Sequence, residues 1–211
     1  MKYANCAEQA ILLTPEYADE YDVRHRGISR IMYAPFMRRI DVLNPNGTCL
    51  EVGAGSGLFT RLFADRFPNA RITAIDISKN MAQRAIRLFE NENLSEQIEY
   101  IICDAADSEV ISYLGPFDFI CSVYSLHHWE EPAKIMENLV DALNPGGILF
   151  IGDLRRTALF SPVHGRRENT DTCITLYSRE ELARLADRLP ACEYEIHSTF
   201  PYLVQSLIMR N

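Results

Sequence analysis

Three glycines at alternate positions, Gly53, Gly55 and Gly57, follow a short apolar run that ends at Val52. A tight turn of this composition lets a ligand lie directly against backbone amides, because a Cβ at these positions would block its approach. A dinucleotide fingerprint would need its third glycine at the position of Leu58, and a phosphate-binding loop would need Gly-Lys-Ser/Thr. The turn therefore predicts a nucleotide-like ligand that has no pyrophosphate to neutralise.

Two aspartates follow the next two predicted strands. Asp76 closes the second strand about 20 residues past the turn, where a carboxylate can accept hydrogen bonds from both hydroxyls of a ribose. The alternative role is an N-cap for the helix beginning near Lys79, although Ser78 is better placed for that. Asp104 follows the third strand, where it could accept a hydrogen bond from an exocyclic adenine amine or remain a solvated strand-end aspartate.

Two adjacent histidines, His127 and His128, lie in a polar and aromatic loop after the fourth predicted strand. They make a poor chelating pair because adjacent side chains point in different directions, and no nearby Cys, Asp or Glu completes a metal set. We therefore predict no metal site. One histidine is expected to be structural, and the other to act as a general base or to orient substrate. The pattern leaves open which is which.

The elements that must position these residues alternate between strand and helix, which predicts a parallel sheet with helices on both faces. Ligands of such sheets sit outside the carboxyl ends of the strands. The predicted strands are Thr48–Val52, Arg71–Asp76, Gln97–Cys103, Phe117–Val123, Gly147–Leu154, Glu193–Ser198 and Tyr202–Arg210. The predicted helices are Leu58–Phe67, Lys79–Asn91, Asp107–Leu114, Ala133–Leu143 and a capping-box helix from Ser178 to about Leu189.

Composition restricts the number of domains, the possible partners and the location of the protein. The 211 residues, of which 47% are hydrophobic, suit a single α/β domain, and a net charge of −8 argues against a nucleic-acid partner. Six cysteines without paired spacing indicate a reduced, cytoplasmic protein. No apolar run reaches membrane-spanning length. We expect a small-molecule substrate and a monomer or homodimer.

The first 46 residues carry apolar side chains at helical spacing, and we predict an N-terminal helical lid over 1–46 followed by the main body over 47–211. The lid either packs on the core or contacts substrate, and both readings stay open. Tyr17 and Tyr21 of the lid, and Arg155 after the fifth strand, are the candidate substrate contacts.

The combined pattern resembles the class I S-adenosylmethionine-dependent methyltransferases, especially the small-molecule branch typified by the ubiquinone and menaquinone methyltransferases. The resemblance covers about Thr48 to Leu154, and the tail from Ser178 is similar in layout. The motifs that carry it are Leu50-Glu51-Val52-Gly53-Ala54-Gly55-Ser56-Gly57, Ala74-Ile75-Asp76-Ile77-Ser78, Cys103-Asp104-Ala105, Phe117-Asp118 through Ser122, Leu126-His127-His128 and Leu143-Asn144-Pro145-Gly146-Gly147.

The resemblance implies a three-layer, Rossmann-like, seven-stranded sheet whose last strand is antiparallel. It also implies a cofactor, S-adenosyl-L-methionine, and a role for each motif residue. Gly53, Ala54, Gly55 and Gly57 would cradle the methionine and ribose portions, Glu51 the amino-acid end and Asp76 the ribose hydroxyls. Ile77 would lie against the adenine, Asp104 and Ala105 at its edge, and Ser122 on the methionine side.

The implied activity is in-line methyl transfer to an oxygen, nitrogen or carbon of a small or medium-sized metabolite. A base is needed only if the acceptor carries a proton that must leave, so His127 and His128 are optional to the chemistry. The competing hypotheses are a nicotinamide-dependent oxidoreductase, a nonenzymatic interaction module, and a protein that uses S-adenosylmethionine for sensing or non-methylation chemistry. The early third glycine and the Asp104-Ala105 element count against the oxidoreductase.

Overall fold

The fold is built on one mixed β-sheet, seen in a computed structural model that describes residues 25, 27–157, 175–189, 193–199 and 203–211. The strands are β1 (Gly47–Val52), β2 (Ala70–Asp76), β3 (Ile98–Ile102), β4 (Phe117–Val123), β5 (Leu143–Leu154), β6 (Glu193–Thr199) and β7 (Val204–Arg210). The helices are α1 (Ser29–Leu43), α2 (Leu58–Arg66), α3 (Lys79–Asn91), α4 (Ser108–Leu114), α5 (Pro132–Asp141) and α6 (Arg179–Ala186). A short 3₁₀ turn, Leu126–His128, follows β4.

The sheet has seven strands in the order β3-β2-β1-β4-β5-β7-β6, and β7 runs antiparallel to both of its neighbours. Successive residues of β1 point to opposite faces, so Cys49 joins a core with α1, α2 and α3 while Leu50 joins a core with α4, α5 and α6. The three-layer fold with an antiparallel last strand is confirmed.

Side-chain caps fix where several helices begin, as the sequence predicted. Ser78 Oγ accepts from Met81 N at the start of α3, so the alternative capping role for Asp76 is not needed. A full capping box joins Ser178 and Glu181 at the start of α6. The helix ends at Ala186, three residues earlier than predicted, because a turn follows it.

The start of β5 differs from the prediction. The Asn144-Pro145-Gly146-Gly147 turn was expected to precede the strand, but Leu143 already pairs with Phe117 of β4. The next pair is Phe119 with Ile148, so the turn residues form an irregularity inside the strand, with Gly146 at φ 78°. Extra residues can be accommodated in a strand pair when one strand bulges.

The three cysteines in the described part of the chain, Cys49, Cys103 and Cys121, are free thiols. Burial raises the pKa of Cys49 to about 12, as expected of a small core residue and not of a reactive thiolate. The described ranges contain no helix that is long and apolar enough to cross a membrane. Over the same ranges, no group of three or more His, Cys, Asp or Glu side chains could hold a metal ion.

Helix α1 packs against β5 through Phe36, whose ring is almost completely buried and lies 6.3 Å from the Phe150 ring. The ring lies against the backbone of Gly152 in β5, where an added Cβ would come within 2.5 Å of Phe36 Cδ1. The hydroxyl of Tyr124, just after β4, donates to Met32 O at 3.2 Å. The helix is therefore part of the core.

We expect Gly152→Ala to lower the free energy of unfolding by about 1–3 kcal/mol, because the new methyl group would displace the Phe36 ring from a filled core. Urea denaturation followed by circular dichroism measures the change. Gly27→Ala is the matched control, since an added Cβ there meets nothing within 4 Å. Equal stability of the two variants would show that α1 is not fixed by this contact.

Candidate functional site

The glycine turn after β1 is held against the end of β2. The amides of Gly53 and Ala54 donate to Ile75 O at 2.8 and 3.0 Å, and Gly53 has a φ of 74°. A Cβ on Gly53 would lie 2.0 Å from Ser125 Oγ, so this glycine is required by the approach of the loop after β4. A Cβ on Gly55, at φ 54°, would meet nothing within 4 Å. Gly55 is therefore the turn glycine whose missing side chain leaves room for a ligand.

Gly57 occupies a different place from the one predicted. It caps α2 with a φ of 80°, and an added Cβ would lie 2.7 Å from Phe89 Cζ and 3.0 Å from Ala85 Cβ. It therefore permits close packing of α2 on α3, and it is not among the residues that line the pocket beside the turn. The sequence pattern alone does not distinguish a packing glycine from a ligand-facing one.

Asp76 ties the turn to the start of the next helix. Its Oδ2 accepts from the Gly55 amide at 2.9 Å, and its Oδ1 accepts from the Ser78 amide at 2.8 Å. Burial raises the pKa of Asp76, while backbone hydrogen bonds from Ser78, Gly55 and Ile77 oppose the rise. A carboxylate has about four acceptor positions, so Asp76 retains capacity for a further donor.

Tyr100 is a site residue that sequence reasoning missed. Its hydroxyl donates to Gly55 O at 2.7 Å, so both polar groups of the Gly55 backbone are fixed by side chains. Burial raises the pKa of Tyr100 well above its ordinary value, so the hydroxyl stays protonated. The available signal was a tyrosine within the third predicted strand, since a buried tyrosine hydroxyl usually has a hydrogen-bond partner.

The predicted adenine-side residues come together at the carboxyl ends of β2 and β3. Ile77 is 42% exposed, an unusual position for a large apolar side chain directly after a buried strand. Asp104 Oδ1 accepts from Ala106 N at 2.9 Å, and Ala105 is buried with its carbonyl oxygen accepting from Asn138 Nδ2 at 3.0 Å. An apolar surface therefore lies beside a fixed polar loop.

Glu51 lies beneath the turn with only 3% of its surface exposed. Burial raises its pKa to about 8, and the negative charge of Asp76 adds to the rise, while a nearby Thr60 hydroxyl opposes it. Its Oε2 has no hydrogen-bond partner within the described part of the chain. At neutral pH the carboxyl is therefore mostly protonated. A ligand that brings a positive charge would favour the ionised form of this carboxyl.

A small pocket, partly open to solvent, lies over the glycine turn with Glu51 in its wall. Its other side is aromatic, formed by Tyr33 of α1, Phe59 of α2 and Tyr124. Tyr33 packs edge-on against Phe59 with centroids 5.3 Å apart and lies 5.8 Å from the Tyr124 ring. Tyr124 has a φ of 56°, a strained conformation for a bulky residue that is often found at functional sites.

Ser122 was expected on the methionine side, and it is not among the residues that line the pocket over the turn. Its side chain is completely buried, and its Oγ has no hydrogen-bond partner among the described residues. Val123 and Tyr124 line the pocket instead. Side chains alternate along a strand, and the sequence does not show which face of β4 is turned toward the pocket.

His127 is fixed by Asp153 at the end of β5. Its Nδ1 lies 2.7 Å from Asp153 Oδ1, and its amide donates to Asp153 Oδ2 at 2.9 Å. His128 lies beside it, with ring centroids 4.1 Å apart. Burial and the neighbouring His127 lower the pKa of His128 to about 4, so this imidazole is neutral at neutral pH. Neither histidine lines the pocket over the glycine turn.

Arg155 is not among the residues lining that pocket either. Its amide donates to Leu203 O at 2.7 Å, and it forms an isolated bridge with Tyr177. The neighbouring Arg156 forms an ion pair with Glu181 of α6. Tyr17 and Tyr21, the other two predicted substrate contacts, lie outside the described residues.

A family model and several known proteins match this chain. A family model described as a methyltransferase domain matches residues 23–189. A ubiquinone biosynthesis O-methyltransferase of Xanthomonas campestris pv. campestris is 33% identical over 113 residues, covering 54% of this chain and 45% of that protein. A malonyl-acyl-carrier-protein O-methyltransferase of Acetivibrio thermocellus is 32% identical over 100 residues, covering 47% of this chain and 33% of that protein. The chain thus spans less than half the length of both relatives.

A solved structure, a SAM-dependent methyltransferase from Aquifex aeolicus, matches with a TM-score of 0.68 at 17% sequence identity. The match covers 93% of this chain and 98% of that one. At that identity the likeness shows the fold.

Proposed function

Because this chain belongs to the class I S-adenosylmethionine-dependent methyltransferase family, we propose that it transfers the methyl group of S-adenosylmethionine to a small or medium-sized metabolite. The observation that carries the proposal is Glu51, whose buried Oε2 lacks a partner among the described residues at the edge of the pocket. An ammonium group satisfies such an oxygen, and the methionine end of the cofactor has one. The acceptor atom is oxygen, nitrogen or carbon, and the two O-methyltransferase relatives favour oxygen.

The residues around the turn fit the remaining parts of the cofactor. The space beside Gly55 leaves room for the part of the cofactor where sulfur joins the ribose, because no side chain enters this space. Asp76 would accept hydrogen bonds from the ribose hydroxyls with the capacity left on its two oxygens. Ile77 would cover one face of the adenine, with Asp104 and Ala105 at its edge.

Methyl transfer requires positioning of the acceptor more than it requires proton transfer. When bound, the cofactor supplies an already activated methyl group on a sulfonium sulfur. The chain's part is to hold the acceptor in line and to exclude water. Tyr33, Phe59 and Tyr124 form a rigid aromatic wall suited to this task, because their rings are packed against one another.

His127 and His128 both stay candidates for contact with the acceptor, and Asp153 binds Nδ1 of His127 and so orients that ring. The low pKa of His128 makes it a weak base. Its contribution would therefore be to accept a hydrogen bond from the acceptor and orient it. The 1–46 segment serves as a lid in this proposal, since Tyr33 of α1 lines the pocket, and Tyr17, Tyr21 and Arg155 stay candidate substrate contacts.

Isothermal titration with S-adenosylhomocysteine tests the cofactor assignment, and NAD serves as the competing ligand for the oxidoreductase hypothesis. We expect saturable binding of S-adenosylhomocysteine at one site per chain and no binding of NAD. Binding of NAD alone would overturn the proposal.

The affinity for S-adenosylhomocysteine should also rise with pH. Below pH 8 the Glu51 carboxyl must lose a proton before it can pair with an ammonium group, so affinity should increase up to about tenfold per pH unit between about pH 6 and about pH 8. Titrations across this range, in buffers of different ionisation enthalpy, measure the slope and the proton release. Glu51→Gln has nearly the same shape without the titrating group and should remove the slope. A variant that keeps the wild-type slope would rule out Glu51 as its source.

A further inference from the structure

Three buried polar atoms near the glycine turn have no hydrogen-bond partner in the described ranges: Glu51 Oε2, Ser56 Oγ and Thr60 Oγ1. Their side chains belong to residues that are 3%, 2% and 0% exposed. Leaving a buried polar group unpaired costs about 1–3 kcal/mol, so buried polar groups are nearly always satisfied. Three such atoms close together in the sequence indicate a site completed by a ligand.

The proposed function uses neither Ser56 nor Thr60, and of these two Thr60 is the one that does not line the pocket. It is the third residue of α2, and helical threonines can donate to a carbonyl oxygen in the preceding turn. Thr60 does not do so within the described structure, so its hydroxyl hydrogen is available for another acceptor. The hydroxyl lies close enough to Glu51 to lower the pKa of that carboxyl, although it does not complete a hydrogen bond to Oε2.

The other titratable groups that act on Glu51 do not favour its ionised form. Asp76 on β2 raises its pKa through charge repulsion. Tyr100 on β3 and Cys121 on β4 interact with the carboxylate, but burial keeps both protonated and neutral, and the Tyr100 hydroxyl already donates to Gly55 O. Among the described neighbours, the Thr60 hydroxyl is thus the group that stabilises a charged Glu51.

We propose that Thr60 is a positioning residue: its hydroxyl donates to the Glu51 carboxylate and holds it toward the ammonium group of the bound cofactor. The inference rests on the proposed function, because it requires a ligand that carries an ammonium group. Thr60 itself does not touch the ligand and acts through Glu51. This explains why a completely buried helix position carries a hydroxyl where valine would fill the same space.

The test compares Thr60→Val, which has nearly the same shape, with Thr60→Ser, which keeps the hydroxyl. At neutral pH we expect Thr60→Val to bind S-adenosylhomocysteine about tenfold more weakly, since a hydrogen bond to a charged group is lost. The pH at which affinity reaches its plateau should move upward, because Glu51 becomes harder to ionise. Thr60→Ser should stay within about twofold of wild type in affinity and keep its pH profile.

Two further measurements separate positioning from packing. Thr60→Val should unfold at the same urea concentration as wild type or a higher one, because the variant removes an unpaired buried hydroxyl. It should also bind 5′-methylthioadenosine as wild type does, since that ligand keeps the adenosine and the thioether but lacks the amino acid.

The outcomes distinguish this inference from the proposed function. Unchanged affinity and pH profile in Thr60→Val would overturn the inference and leave the cofactor assignment intact. Equal weakening of both ligands would also overturn it, since that result indicates a general packing role. No binding of S-adenosylhomocysteine by the wild-type protein would overturn the proposed function and the inference together.

Discussion

Asp153→Ala is expected to lower the free energy of unfolding by about 3–5 kcal/mol, the usual cost of removing one partner from a buried charged or strongly hydrogen-bonded pair. Asp153 is 3% exposed and accepts from His127 N, His127 Nδ1 and Leu154 N. The substitution would leave these donors buried without an acceptor. Thermal and urea unfolding followed by circular dichroism measure the loss.

Glu195→Ala is the matched control for this prediction. Like Asp153, Glu195 accepts from more than one donor: Arg210 lies at 2.9 Å and His197 at 3.1 Å. Its side chain, however, is 53% exposed. Exposed pairs of this kind contribute little to stability. If both variants lost the same small amount of unfolding free energy, the Asp153–His127 pair would not be what holds the loop after β4. Below its melting temperature, Asp153→Ala should still bind S-adenosylhomocysteine, because Asp153 and His127 make no hydrogen bond to the glycine turn or to Asp76 within the described part of the chain.

Asp76→Ala is expected to weaken the binding of S-adenosylhomocysteine by about 100-fold, since hydrogen bonds from ribose hydroxyls to a charged group would be lost. The variant would also release the Gly55 and Ser78 amides, which the carboxylate holds at 2.9 and 2.8 Å. Calorimetric titration of the folded variant gives the affinity directly.

Asp107→Ala provides the comparison for Asp76. Asp107 is also an aspartate after a strand, and its carboxylate also accepts from two backbone amides, those of Glu109 and Val110. It caps α4 and, unlike Asp76, makes no hydrogen bond to the glycine turn among the described residues, so its loss should cost about 1 kcal/mol of stability and leave affinity unchanged. Near-wild-type affinity in Asp76→Ala would remove Asp76 from the ribose site.

The sequence predicted the order of the strands along the chain and most element bounds, because each depends on local patterns of apolar residues and caps. The antiparallel last strand was implied by the resemblance to a known family. The start of β5 at Leu143 was missed because the glycine-rich segment after it resembles a turn in isolation. Only the pairing of Leu143 with Phe117 shows that the strand has already begun.

The candidate site was predictable where a residue type has few alternative uses. Asp76 and Glu51 lie beside the glycine turn, as the spacing indicated. Gly57 and Ser122 do not line the pocket over the turn, and their cofactor roles stay predictions, because whether a small side chain faces a ligand or a neighbouring helix depends on packing between distant segments. Asp153 and Tyr100 were missed for the same reason, since their partners are 26 and 45 residues away in the sequence.

The position of Tyr33 and Phe36 on α1 limits how this protein could acquire a new acceptor. Tyr33 lines the pocket, and Phe36, less than one helical turn away, is packed on Gly152 in the core. A change that reshapes the aromatic wall by shifting α1 would disturb the packing of β5 as well. Altered selectivity should therefore arise by replacing the side chain at Tyr33 while the helix stays in place, and evolution of the pocket is restricted to substitutions that preserve the Phe36 contact.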